Sequence, residues 1–340
     1  MALSVAVYHF SVSSALGVTN AGSHTNEIIS ILGNYGVEGF FIVSGFCFFH
    51  LYGRSEWSGR SLANFHIKRF FRIAPLFYAA ILANALLGEN VGWGFEPRIL
   101  VENLSFTFGL SYNLNYFHPN HSLVLGGWSI GLEYMFYFAF PLMAFLTRRT
   151  WAMVLLLGIL IWVAYPWTFH EVPMASLEHE MKFHTYVRLP NHAFLFLLGG
   201  LLARIRSWTA WRLPLWGFAL SLLAVIALGW PYGRRFYDVW DVMSGLARVR
   251  YVGLCFLVTA AFAFYEVPRT WLRTALVHLG DTSYSVYLLH PFMMLLVTRV
   301  ATGIPALLLG LVLTLGLATL VYRYMERPAM GLGKRLAGRF

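Results

Sequence analysis

Glu133 lies in Gly127-Trp128-Ser129-Ile130-Gly131-Leu132-Glu133-Tyr134-Met135-Phe136-Tyr137, one carboxylate inside an apolar run long enough to cross a bilayer. An ionisable side chain in hydrocarbon is costly and ordinarily faces a protein interior or a wet cavity, which makes Glu133 a functional-site candidate. On a helix Ser129 and Tyr137 fall one turn to either side of it on the same face, so it has hydroxyls within reach in its own segment. His9, in Tyr8-His9-Phe10, sits about two turns into another apolar run with no charge around it. An imidazole can accept a proton from a hydroxyl near neutral pH, or carry an acyl group as a nucleophile. The plainer reading of a lone membrane histidine is a hydrogen bond to backbone or tyrosine.

Three more segments carry polar groups. Phe65-His66-Ile67-Lys68-Arg69-Phe70-Phe71-Arg72-Ile73-Ala74-Pro75 places Lys68, Arg69 and Arg72 on one broad helical face. Such a cluster suits the phosphates of an anion, Arg giving forked contacts and Lys a point charge, but equally suits a membrane anchor. In Gly36-Val37-Glu38-Gly39-Phe40-Phe41-Ile42-Val43-Ser44-Gly45-Phe46 the glycines and Ser44 permit close helix packing, and Glu38 is placed where it could reach water. Asp281-Thr282-Ser283-Tyr284-Ser285-Val286-Tyr287-Leu288-Leu289-His290-Pro291 aligns Ser283, Tyr287 and His290 in one stripe, with a local break expected at Pro291. Trp128 and Ser129, with Glu38, Ser44, Tyr137, Ser283, Tyr287 and His290, are expected to line or support a cavity. Cys47 and Cys255 fall in separate apolar runs and read as packing residues; no metal site is expected.

The elements that position these groups follow from composition. The chain is 58% hydrophobic, 17% aromatic and only 12% charged, with mean hydropathy +0.62, far more apolar than a soluble domain of 340 residues. The pattern predicts an all-α, polytopic transmembrane bundle of about ten helices, at 1–18, 35–52, 72–88, 128–147, 151–168, 188–205, 213–230, 246–265, 283–300 and 303–322. Residues 99–112 are too interrupted for a further span and read as interfacial or re-entrant. No repeat, linker or low-complexity tract divides the chain, so residues 1–340 are expected to form one membrane domain. Basic residues such as Arg54, Arg60, Lys68, Arg69, Arg72, Arg148, Arg149, Arg204, Arg206 and those of the tail gather on one side, with Arg234 and Arg235 against the trend. The positive-inside rule then puts both termini in the cytoplasm. Topology and anionic lipid account for the net charge of +10, and a nucleic-acid partner is not expected. Met1 opens directly onto an apolar run with no basic leader, so no removable signal peptide is expected, and the first helix is short at its start. The stretches 89–127 and 169–187, on the opposite face, are the natural meeting place for an outside substrate. Their aromatics Trp93, Tyr112, Tyr116, Phe117 and Trp167 could stack on sugars or anchor at the interface.

Taken in order, Tyr8-His9, the Gly36–Phe46 segment, Lys68-Arg69-Phe70-Phe71-Arg72-Ile73-Ala74-Pro75, Trp128–Tyr137, Ser283–Pro291 and Met325-Glu326-Arg327-Pro328 resemble the acyltransferase-3 family of polytopic membrane acyltransferases, which includes O-antigen and exopolysaccharide O-acetylases. The resemblance covers nearly the whole chain. It implies transfer of a short acyl group, most often acetyl from cytoplasmic acetyl-CoA, to a hydroxyl of a cell-surface or lipid-linked carbohydrate. It implies His9 as the catalytic histidine, joined by Glu133, and Arg69 and Arg72, with Lys68, as donor-binding residues. Acyl-CoA is then a substrate, with no permanently bound cofactor. The expected partners are membrane lipid, the carbohydrate acceptor and polysaccharide-assembly proteins, in a bacterial inner (plasma) membrane. Two departures stand out. The family commonly carries an arginine about ten residues before its histidine, which this chain starts too late to contain. Its second acid, following the position of Glu133, is Tyr134 here. No hydrolase-like domain follows the last helix, so transfer is expected to be completed by the membrane domain or with a partner. The competing expectation is a transporter or flippase in which His9, Glu133 and His290 line a polar relay.

Overall fold

The structure, a computed structural model, describes residues 1–13, 24–87, 96–114, 122–174, 179–230 and 242–338. Among these the architecture is helical, with a single isolated bridge between Leu213 and Tyr265. Each of the ten expected spans overlaps a helix, residues 14–18 of the first span lying outside the described residues: α1 (Ala2–Ser13), α2 (His24–Tyr52), α3 (Gly59–Leu87), then, after α4 (Pro97–Leu104) and α5 (Phe108–Leu114), α6 (Trp128–Leu146) and α7 (Thr150–Pro166). After the short α8 (Val172–Met174) and α9 (His179–Tyr186) come α10 (Leu189–Trp208), α11 (Leu215–Gly229) and α12 (Gly245–Phe264). The peripheral α13 (Trp271–Asp281) leads to α14 (Ser283–Val297) and α15 (Gly303–Val321), and a π turn at Tyr322–Glu326 opens α16 (Arg327–Ala337). Among the described residues six segments, including Ile28–Tyr52, Gly59–Leu87 and Trp128–Leu146, are long and apolar enough to cross a membrane. Large apolar side chains such as Trp162, Leu220 and Val312 face outward from the bundle, as lipid contact requires. The chain is an integral membrane protein.

Two helices begin well before their expected starts, and one expected break is missing: α2 starts at His24 rather than 35. α3 begins at Gly59, well before the expected 72, because Arg60, Lys68 and Arg69 are good helix formers that a hydropathy window rejects. α14 runs unbroken through Pro291, so the expected local break is absent. The proline has no N–H for the carbonyl of Tyr287, but the remaining turns hold the helix.

At the centre, α2 lies against α10, and also touches α1, α12 and α6. The α2–α10 crossing is backbone against backbone: a Cβ on Gly45 would meet the Phe196 carbonyl oxygen, and one on Gly199 that of Ile42, each at 1.9 Å. Only glycine allows that approach, which realises the packing role read from Gly45. Between α3 and α6 the chain folds back into protein. The buried Asn103 side chain accepts from the Leu123 N–H at 3.0 Å, and the Asn84 amide donates to the Leu123 carbonyl at 2.7 Å. These bonds satisfy irregular backbone away from water. They also fix the turn that delivers Gly126 to Ser129. Trp93, Tyr116, Phe117, Arg234 and Arg235, and the side chain of Tyr112, lie outside the described residues. Trp167 is described, and its ring sits 5.4 Å from the Arg188 guanidinium.

Candidate active site

Four residues of α14 tie the site together. Tyr284 donates to the Ile73 carbonyl on α3 at 2.8 Å, and its ring lies 5.8 Å from the Arg72 guanidinium. Ser285 donates to Glu326 in the π turn. The Tyr287 hydroxyl donates to the Gly126 carbonyl at 2.7 Å and lies 2.7 Å from Ser129 Oγ at the start of α6. His290 Nε2 lies 2.7 Å from His9 Nδ1 on α1. Four positions on one helix, pointing in different directions, thus meet α3, the C-terminal turn, α6 and α1.

The two imidazoles are nearly coplanar, with planes 7° apart and centroids 5.0 Å apart. That separation is about one hydrogen bond plus two ring radii, so the rings meet edge to edge rather than face to face. The Val286 carbonyl lies 3.2 Å from the other nitrogen of His290, Nδ1.

Glu133 is buried, 6% exposed. Its Oε1 accepts from Tyr137 at 2.7 Å and Ser44 at 3.0 Å, both neutral donors. Ser129, expected as a second partner from Glu133's own helix, turns to Tyr287 and Gly126 instead. Glu133 lines a cavity of about 600 Å³, together with Ser129, Ser283, Tyr284 and Tyr287 and many apolar side chains. Val5 and Val286 also line it, each four residues before one of the paired histidines, so the cavity passes one helical turn from the His9–His290 contact. Ser283 reaches the cavity wall while its hydroxyl donates to the Gly280 carbonyl at 2.8 Å.

The basic cluster divides. Arg72 forms an ion pair with Glu326 at 2.6 Å, so its charge is already balanced. Arg69 lies among the rings of Phe48, Tyr52 and Phe65, 4.8, 5.7 and 5.7 Å from their centroids, and donates to the Tyr52 hydroxyl at 3.3 Å. Its buried Nε has no hydrogen-bond partner, and no carboxylate pairs with it among the described residues. Lys68 is half-buried on the same helix.

A second polar cluster lies around Glu38, which is fully buried and does not reach water as its position suggested. Its Oε1 accepts from Arg248 Nε at 3.0 Å and from Tyr186 at 2.9 Å. The rest of the Arg248 guanidinium is taken up by Thr168 Oγ1 at 2.9 Å, the Asn191 carbonyl at 2.7 Å and the Asn191 side chain. Trp128 packs here, against Phe41, Tyr186 and His192, and so supports this cluster rather than the cavity.

Compared with known proteins, residues 1–323 match the family model described as an acyltransferase domain, of the acyltransferase-3 type. The chain belongs to the acyltransferase-3 family. This acyltransferase is 29% identical over 294 residues to acyltransferase MdmB of Streptomyces mycarofaciens, an alignment spanning 77% of this chain and 68% of that protein. It is 26% identical over 323 residues to the exopolysaccharide production protein ExoZ of Rhizobium meliloti, covering 89% and 91% of the two chains. No solved structure matches it.

Of the residues singled out in the acyltransferase sequence, the structure brings Glu133, Ser44, Tyr137, Ser129, Ser283 and Tyr287 to one cavity wall or its hydrogen bonds, with His9 and His290 paired beside it. Glu38 and Trp128 belong to the other cluster. Arg248 was missed: it was absorbed into the span 246–265 as a terminal charge. A second intramembrane charge, opposite in sign to Glu38, was the available signal. Glu326 was visible only as part of a motif, and nothing in its spacing pointed to Arg72, 254 positions away.

Proposed function

We propose that this acyltransferase moves an acyl group, in the first instance acetyl, from cytoplasmic acyl-CoA to a hydroxyl of a cell-surface or lipid-linked carbohydrate. It would do so as one membrane domain in a bacterial plasma membrane, with both termini in the cytoplasm. The observation that carries the reading is the in-plane His9–His290 contact beside a cavity whose wall holds a buried carboxylate bound by two neutral hydroxyls and by no ion pair among the described residues. A carbohydrate acceptor is supported by the name of the ExoZ relative, and membership of an acyltransferase family displaces the transporter alternative.

Hydrogen positions follow from the acceptors. The Val286 carbonyl can only accept, so His290 Nδ1 carries its hydrogen. In a neutral ring Nε2 then bears the lone pair and accepts from His9 Nδ1–H. His9 is left with its own lone pair on Nε2, the form required of a base or nucleophile. In direct transfer, His9 Nε2 takes the acceptor hydroxyl's proton as the oxygen bonds to the acyl carbon, the carbon–sulfur bond breaks, and the leaving thiolate recovers that proton. In the two-step route His9 Nε2 first displaces the thiolate; the hydroxyl oxygen then bonds to the acyl carbon, the nitrogen–acyl bond breaks, and the hydroxyl proton passes to the thiolate. Glu133, which forms no ion pair among the described residues, would favour the positive charge that either route places on the imidazole. Arg69 and Lys68 are assigned to the donor's phosphates. Arg72, held by Glu326, is assigned to positioning α3 against α14.

The test is transfer from radiolabelled acetyl-CoA in membranes containing the parent protein or His9→Ala at matched expression. Label in glycan or lipid with the parent alone is expected. Equal labelling by the variant removes His9 from the chemistry, and no labelling by either defeats acetyl-CoA as donor.

A further inference from the structure

The end of the bundle that carries Arg69 holds a second basic site on another side of α2. Phe48 and Tyr52 turn toward Arg69, whereas Phe49, Gly53 and Arg54 line a separate cavity of about 820 Å³. Arg148, from the α6–α7 connection, and Arg204, near the end of α10, complete its basic wall, and Glu56 is the acid among the lining residues. Arg204 is fixed in place: it donates to the Thr147 carbonyl at 2.7 Å, the Arg148 carbonyl at 3.1 Å and Thr150 Oγ1 at 3.4 Å. Arg148 lies 5.0 Å from the Phe145 ring, and Arg54 is 3.5 Å from Ser207 Oγ.

All these partners are neutral. Among the described residues Arg72, Arg98, Arg212 and Arg248 each pair with a carboxylate, but Arg54, Arg148 and Arg204 do not. Arg54 is also close enough to Arg204 to repel it. Three uncompensated guanidinium groups around one concavity are an arrangement that an anion relieves, and the planar fork of arginine matches phosphate oxygens two at a time. A membrane anchor needs charge at the interface but no hollow, and this hollow is of the size that holds a small ligand.

We propose that the Arg54–Arg148–Arg204 cavity binds a phosphate-bearing anion at a site separate from Arg69. Its phosphate comes either from a soluble nucleotide or from the headgroup of an anionic phospholipid.

The experiment measures binding of adenosine bisphosphate, and separately retention on phosphatidylglycerol against phosphatidylcholine nanodiscs, for the full chain in neutral detergent. The variant combines Arg54→Gln with Arg148→Gln, both exposed, and leaves Arg204 to hold the α6–α7 corner; a melting curve confirms that it folds. Loss of two charged hydrogen-bonding partners is expected to weaken one of the two probes by at least about tenfold. Weakened bisphosphate binding assigns a nucleotide source, and loss of the phosphatidylglycerol preference assigns the lipid. Both probes holding within twofold of the parent overturn the site. Arg69→Gln in the same assay reports on donor docking alone, so failure of that assignment is read independently.

Discussion

Glu38 and Glu133 are both carboxylates in apolar helices of this acyltransferase, yet they are treated differently by everything around them. Glu38 faces a guanidinium that also binds Thr168 and Asn191, and it does not line the cavity beside Glu133. Glu133 has two neutral hydroxyls and a cavity at its side; among the described residues no cation pairs with it directly, and Arg69 and Arg72 act on it only from farther off. Burial alone therefore does not mark a working group. A charge paired by direct contact holds helices together, whereas one without a direct ion pair beside open space can respond to what enters.

The contrast can be broken most severely at Arg248. Arg248→Met leaves Glu38 as an unpaired buried charge and is expected to cost about 3 to 5 kcal/mol of stability. Adding Glu38→Gln should recover a large part of that loss in the same thermal melts, because the pair rather than either residue is at stake. Equal melting points for the single and double variants would mean that the pair is not what holds the helices. Glu133→Gln should do the reverse: its melting point stays near the parent's, since Ser44 and Tyr137 still find an acceptor, while transfer from acetyl-CoA falls by about a hundredfold. Arg69→Gln should raise the donor KM by about tenfold with a smaller change in kcat, read by titrating acetyl-CoA. The smallest effect is expected for Tyr137→Phe, which removes one hydrogen bond to a carboxylate and should lower transfer about tenfold or less. A larger loss there than in Glu133→Gln would reverse the ranking of the two residues.

The helical class and the approximate placement of the spans were legible because apolar runs of bilayer length have few alternatives, whereas the starts of α2 and α3 were not. His9 and Glu133 were legible for the same reason, as polar groups placed where they are costly. Their partners were not. His9 and His290 are 281 positions apart and Arg72 and Glu326 254, and no local spacing encodes such encounters. Local reading also left open where Trp128 packs: it shares a helix with Glu133 but turns its ring to His192. The π turn at Tyr322–Glu326, which rotates Glu326 into the interior, had no signal in composition.

The convergence of four contacts on Tyr284, Ser285, Tyr287 and His290 constrains how this stretch can vary. Exchange of one side chain disturbs one contact. Insertion or deletion of a single residue ahead of Tyr284 instead turns the following side chains by about 100°, withdrawing Arg72, Glu326, Ser129 and His9 from their partners together. Length between Thr282 and Pro291 should therefore be frozen even where residue identity drifts, and a library of single-codon insertions across that interval should contain no active member.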